Sequence, residues 1–120
     1  MNDERGLSVT YSEPRPGVVR VALSGDLDYE TSDELAATAD AALQAAVDPH
    51  ELRLDCSELG FCDSYGLAAL LMLRRRTAAA GIALHLDHRG NALDRLLHMT
   101  STWEHLTGER PADRAKQLDT

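Results

Sequence analysis

Between Leu52 and Leu71 the spacing of apolar side chains switches from every second residue to a helical spacing. Leu52, Leu54 and Cys56 alternate with Glu51, Arg53 and Asp55, the pattern of a strand with one buried face. Leu67, Leu70 and Leu71 then fall on one side of a helix expected over residues 66–80. A short loop carrying Phe61, Cys62, Asp63 and Ser64 is expected between the two. After Gly81, a favourable helix stop, Ile82, Leu84 and Leu86 return to strand period. A strand, a helix and a strand in this order imply a right-handed crossover and two parallel strands in a helix-covered sheet.

The rest of the chain extends this alternation. Leu7, Val9 and Tyr11 read as a first strand, broken by Pro14, Pro16 and Gly17. Val18 to Ser24, with Val19, Val21 and Leu23 on one face, reads as a second, and the short connection predicts a hairpin. Gly25-Asp-Leu-Asp28 reads as a polar turn. Thr31-Ser-Asp-Glu34 fits a capping box, in which a hydroxyl and a carboxylate satisfy free backbone N–H groups at a helix start. Leu35, Ala36, Ala39, Ala42, Leu43 and Ala46 form one stripe of that helix, which Pro49 ends. Ala92, Leu93, Leu96 and Leu97 mark a third helix, Trp103 to Leu106 a short edge strand, and Pro111 to Leu118 a last short helix. The expected fold is α/β: a mixed, largely parallel sheet of four to five strands packed with about four helices. A single domain is expected over residues 1–120, with its core at about 7–106, a flexible N-terminus over 1–6 and a short C-terminal helix within 107–120.

Bulk chemistry narrows the function. A chain of 120 residues can bury a core without disulfides or metals, and with 4% aromatic residues that core must be Leu, Val and Ala. A net charge of −8 repels phosphate backbones and anionic lipid, which disfavours nucleic acid and membrane surfaces and suits a partner with a basic face. Cys56 and Cys62 have a spacing that matches no zinc or redox motif, so two buried thiols in a reducing cytosol are expected. Met1 to Gly6 lacks the basic-then-apolar pattern of a signal peptide, and no apolar run approaches the ~18 residues of a membrane span. A cytoplasmic protein without membrane insertion is expected.

Asp63-Ser64 sits where the strand-to-loop segment meets the helix. A serine there has a purely structural use, as a cap worth ~1 kcal/mol. The segment Phe61-Cys-Asp-Ser-Tyr-Gly-Leu67 also resembles the STAS domain of anti-sigma factor antagonists, whose hallmark is an Asp-Ser-[Ser/Thr]-Gly-Leu turn after a buried strand and a loop hydrophobe. Asp63, Ser64, Gly66 and Leu67 match it. Leu23-Ser-Gly-Asp-Leu-Asp28 is similar to the family's second strand and its Gly-[Glu/Asp]-Leu-Asp turn. Val47 to Cys56, Gly81 to Leu86 and Asp94 to Thr100 fit the strand, strand and helix that complete the order. Asp-Ser-x-Gly alone is a weak pattern; the ordered set, over about residues 7–106, is specific. The sequence departs from the family at Tyr65, where a small Ser or Thr is usual, and at Ser101, where Gly is frequent.

The resemblance implies that Ser64 is phosphorylated by a partner serine kinase that is commonly also the anti-sigma factor. The unphosphorylated protein would bind that anti-sigma factor and release the sigma factor, and a serine phosphatase would restore the active form. Asp26, Asp28, Asp63, Ser64, Tyr65 and Gly66 are the expected partner-binding residues. Tyr65 reads either as an interface anchor or as a half-buried loop ring. The resemblance leaves two alternatives: an accessory subunit of a lipid-transport ATP-binding-cassette complex, or a scaffold component of a stress-signalling assembly. A homodimer is open.

Other chemistry finds little footing. His85, His88, His98 and His105 lack metal-ligand spacing, so no metal is expected. Asp55 and Asp63 have no accompanying nucleophile–base pair, and Ser64 lacks a Gly-x-Ser-x-Gly elbow, so the chain reads as no enzyme. No phosphate-binding glycine loop is present, and no cofactor is expected. Arg74-Arg-Arg76 reads as a solvated helix face or as a contact for an acidic partner.

Overall fold

The structure, a computed structural model, describes residues 6–100 and residue 106. In chain order the elements are β1 (Leu7–Arg15), β2 (Val18–Leu27), α1 (Ser32–Ala45), β3 (Glu51–Cys62), α2 (Ser64–Ala79), β4 (Ala83–Asp87) and α3 (Asn91–Met99). The sheet has four strands in the order β1-β2-β3-β4. β1 and β2 form the expected antiparallel hairpin, while β2–β3 and β3–β4 are parallel. The sheet is thus mixed rather than largely parallel. Three helices, instead of about four, lie among the described residues, and Leu106 is also helical.

The core follows from alternation. Val19, Val21 and Leu23 of β2, Leu52, Leu54 and Cys56 of β3, and Leu86 of β4 point to one face and are buried. Both parallel crossovers step the same way across the sheet, so two right-handed connections place α1 and α2 on that same face, where they touch. Leu35, Ala39 and Ala42 of α1, Leu67, Leu70 and Leu73 of α2, and Leu93 and Leu97 of α3 complete a single cluster. As the composition demands, this core is aliphatic: Tyr11, Tyr29, Phe61 and Tyr65 are all exposed. Each fully buried Leu contributes roughly 1.5–3 kcal/mol relative to exposure.

The opposite face is wet and charged. Arg20 pairs with Asp55 across β2–β3, and Arg53 holds Glu51 at 2.6 Å and Asp87 at 2.9 Å. Hydrogen bonding to Asp87 is the main cause that raises the Arg53 pKa. No described helix is long and apolar enough to cross a membrane.

Several local readings are corrected. β1 runs on through Pro14, tolerated because β1 is an edge strand and the register is already irregular between Ser12 and Arg15. The capping box does not form. The Thr31 hydroxyl instead accepts from Asp28 N at 2.9 Å and donates to Asp26 O at 2.8 Å, closing the turn before α1. The edge strand expected over Trp103–Leu106 meets a helical Leu106, while Trp103 to His105, the C-terminal helix over Pro111–Leu118, Ser101 and residues 1–5 lie outside the described residues.

Candidate functional site

The C-terminal ends of β2 and β3 build one rim. Gly25-Asp26-Leu27, read from sequence as a turn, continues β2, and Phe61 and Cys62, read as part of a loop, continue β3. Gly25 pairs with Leu59, Asp26 with Phe61 and Leu27 with Cys62, so Gly60 is bulged out between them. A bulge re-aims a strand end and raises its twist. The Asp26 carboxylate lies over it, with Oδ1 3.3 Å from where a Gly60 Cβ would sit. Gly25 has φ +117, and a Cβ there would lie 2.2 Å from Gly6 O, so this tip accepts no side chain.

Beyond Leu27, Asp28 organises the turn. Its Oδ1 accepts from Glu30 N at 3.0 Å and Thr31 N at 3.2 Å. Asp28 is therefore occupied with its own backbone as well as half-exposed on the rim.

The second arm is the β3–α2 junction. Asp63, not Ser64, is the N-cap: its Oδ1 accepts from Gly66 N at 2.9 Å. Asp63 N donates to Leu27 O at 3.3 Å, tying this junction to the end of β2. Gly66 passes so close to the same carbonyl that a Cβ would fall 2.3 Å from Leu27 O and 2.9 Å from Cys62 Sγ. Gly66 is buried and architectural, a role separate from the partner contact expected for it.

Ser64 is relieved of capping. It is the first residue of α2 and exposed, and its hydroxyl has no hydrogen bond to a described residue. Tyr65 is 57% exposed and meets Tyr29 edge-on, with ring centroids 5.1 Å apart. Tyr29 is 71% exposed and was not singled out from the sequence; its place beside Asp28 in the facing turn was the signal that could have found it. With Phe61, 54% exposed, three of the four described aromatic side chains stand at this end of the sheet.

The structure thus brings Asp26, Asp28, Asp63, Ser64, Tyr65 and Gly66 to one rim, joined by Leu27 O and the Tyr29–Tyr65 pair. Of the two cysteines beneath it, Cys56 is buried as expected, while Cys62 is only half-buried. Both are free thiols, and burial pushes Cys56 up to about 12 and, with help from Asp63, Cys62 up to about 12. No group of three or more His, Cys, Asp or Glu side chains suited to a metal ion occurs among the described residues.

No curated protein matches the sequence. The structure is similar to an anti-sigma factor antagonist from Mycobacterium paratuberculosis, with a TM-score of 0.69, 21% identity and 100% of both chains covered. It is similar to the phosphorylated form of the Bacillus cell fate determinant SpoIIAA, with a TM-score of 0.65, 18% identity, and 94% of this chain and 100% of that one covered. It also matches the murine solute carrier 26 family member A9 anion transporter, with a TM-score of 0.63 and 20% identity, covering 78% of this chain but 18% of that one. At these identities the likeness is one of fold. A family model described as "Mlab, STAS domain" matches residues 11–118, and with most of its length so matched the chain belongs to the STAS domain family.

Proposed function

We propose that this chain is an anti-sigma factor antagonist switched at Ser64. The observation that carries the reading is the division of labour at the start of α2. Asp63 caps the helix, which leaves the Ser64 hydroxyl exposed at the tip of a rim of aromatic and acidic side chains. A serine needed for capping would be a poor acceptor for a kinase, whereas this one can be modified without unfastening the helix. The fold likeness to anti-sigma factor antagonists, one of them in phosphorylated form, supports the same reading.

A phosphoryl group adds about −1.5 to −2 charge and three acceptor oxygens. At a helix N-terminus the macrodipole and free N–H groups tolerate it. Its neighbours Asp63, Asp28 and Asp26 make the rim more acidic still, so a docked partner meets new bulk and new repulsion while the fold persists. The unphosphorylated rim binds an anti-sigma factor that is also a serine kinase and thereby frees the sigma factor. A serine phosphatase resets it. In this reading the protein works in the cytoplasm and catalyses nothing itself.

A second reading is an accessory subunit of a lipid-transport ATP-binding-cassette complex. The occurrence of this fold within an anion transporter chain supports an association with transport. One experiment separates the two: affinity capture from lysate with wild type, Ser64→Ala and Ser64→Glu, read by mass spectrometry. The switch predicts an anti-sigma kinase with the first two baits, its loss with Ser64→Glu, and phosphate on Ser64. A transporter ATPase retained by all three baits, with Ser64 never modified, overturns it.

A further inference from the structure

A groove of ≈ 700 Å³ runs away from the rim between α1 and α2. Ala36, Ala68 and Ala69 line it together with the larger Tyr29, Tyr65 and Met72. Met72 is 51% exposed, so with the two tyrosines the groove presents large apolar side chains to water with nothing over them. Small residues among bulky ones leave room that an inserted side chain can fill.

The electrostatics of the slot are one-sided. Glu30 and Asp33 line the end nearest the rim, and neither carboxylate has an ion-pair partner among the described residues. At the far end Arg76 is already engaged by Asp40 at 2.8 Å. From Val21 to Leu52 the chain carries Asp26, Asp28, Glu30, Asp33, Glu34, Asp40, Asp48 and Glu51 with no Lys or Arg, so nothing on α1 can neutralise that end. The exposed tyrosine faces beside it would also attract a cation.

We propose that the α1–α2 groove is a docking slot for a segment of a partner protein that inserts a bulky apolar side chain over Ala36, Ala68 and Ala69 and sets a Lys or Arg against Glu30 and Asp33. A protein segment fits better than a small ligand, because the walls are open and a small molecule would leave most of itself wet. The slot shares Tyr29 and Tyr65 with the rim but does not include Ser64, and it would serve either reading of the protein's function.

The test is selection from a random-peptide phage library on the intact protein, followed by titration of the synthesised winners into isotopically labelled wild type. The proposal expects sequences that join Phe, Leu or Trp to Lys or Arg, with amide shifts concentrated on residues 29–36 and 65–76. Affinity should fall at least ~10-fold in Ala68→Arg, which fills the slot from an exposed position, and in the Glu30→Lys/Asp33→Lys pair. Ser64→Glu should bind these peptides as wild type, whereas the switch predicts that it loses the kinase, which separates this result from the switch. Unchanged melting curves establish that the variants fold, and the shift map stands without them. Enrichment of acidic or purely apolar peptides, shifts on the open sheet face, binding indifferent to both variants, or no enrichment at all would overturn the proposal.

Discussion

At the scale of single residues, two neighbours in the Asp63–Leu67 turn do opposite things. Gly66 is fixed by backbone: the atom a Cβ would strike is Leu27 O, which cannot swing aside. Gly66→Ala should therefore destabilise the fold by roughly 1–3 kcal/mol, seen as a lower urea midpoint with an unchanged slope. Asp63→Ala removes the cap and should cost about 1 kcal/mol in the same measurement. Tyr65→Ala, in contrast, gives up an exposed edge-on contact with Tyr29 and should cost no more than about 1 kcal/mol, while weakening capture of the partner. The sequence made Asp63, Ser64, Tyr65 and Gly66 legible because they are adjacent in one motif. It did not make legible which of them caps the helix, since Asp and Ser are equally good caps and the choice is made by where β3 ends. Tyr29 was hidden for a related reason: its significance is a contact with a residue far along the chain.

At the scale of elements, period and breakers located the seven elements from β1 to α3, yet the strand tips and the helical Leu106 were misjudged. Gly25 and Asp26 are poor strand formers, and nothing local says that they continue β2. Pairing with Leu59 and Phe61 across a bulge overrides that preference. The false capping box has the same origin: Thr31 is captured by the Asp28 turn before it can serve α1. The open face of the sheet carries a pH prediction. A hydrogen bond from the Ser57 backbone, helped by Arg20, holds the Asp55 carboxyl below its ordinary value of 3.8. A group whose pKa is lowered by folding stabilises the fold above its unfolded pKa, and loses that contribution as pH falls through the folded value. Wild type should thus lose more stability than Asp55→Asn when the pH is taken from neutral to below 3.8, measured by urea unfolding at each pH.

At the scale of the whole molecule, an aliphatic core lies beneath a rim of exposed aromatics, so in the proposed switch folding and recognition are separate. The low aromatic content predicted that core, and its corollary, that the aromatics would be spent on the surface, became visible only in three dimensions. Ser64→Glu should consequently leave the melting transition close to wild type while abolishing capture of an anti-sigma kinase; a large loss of stability would contradict the separation. The same protection extends to the thiols. With both cysteines raised to about 12, the native protein should react slowly with a disulfide reagent at neutral pH, and both thiols should react quickly once it is unfolded in urea. The shared Leu27 carbonyl has a consequence for descent as well as for structure. Two turns nearly forty residues apart meet on one backbone atom that no codon change can resize, so a lineage that keeps this junction must keep position 66 empty of side chain. Position 65, one step away and exposed, carries no such obligation, and its side chain can change without renegotiating the fold.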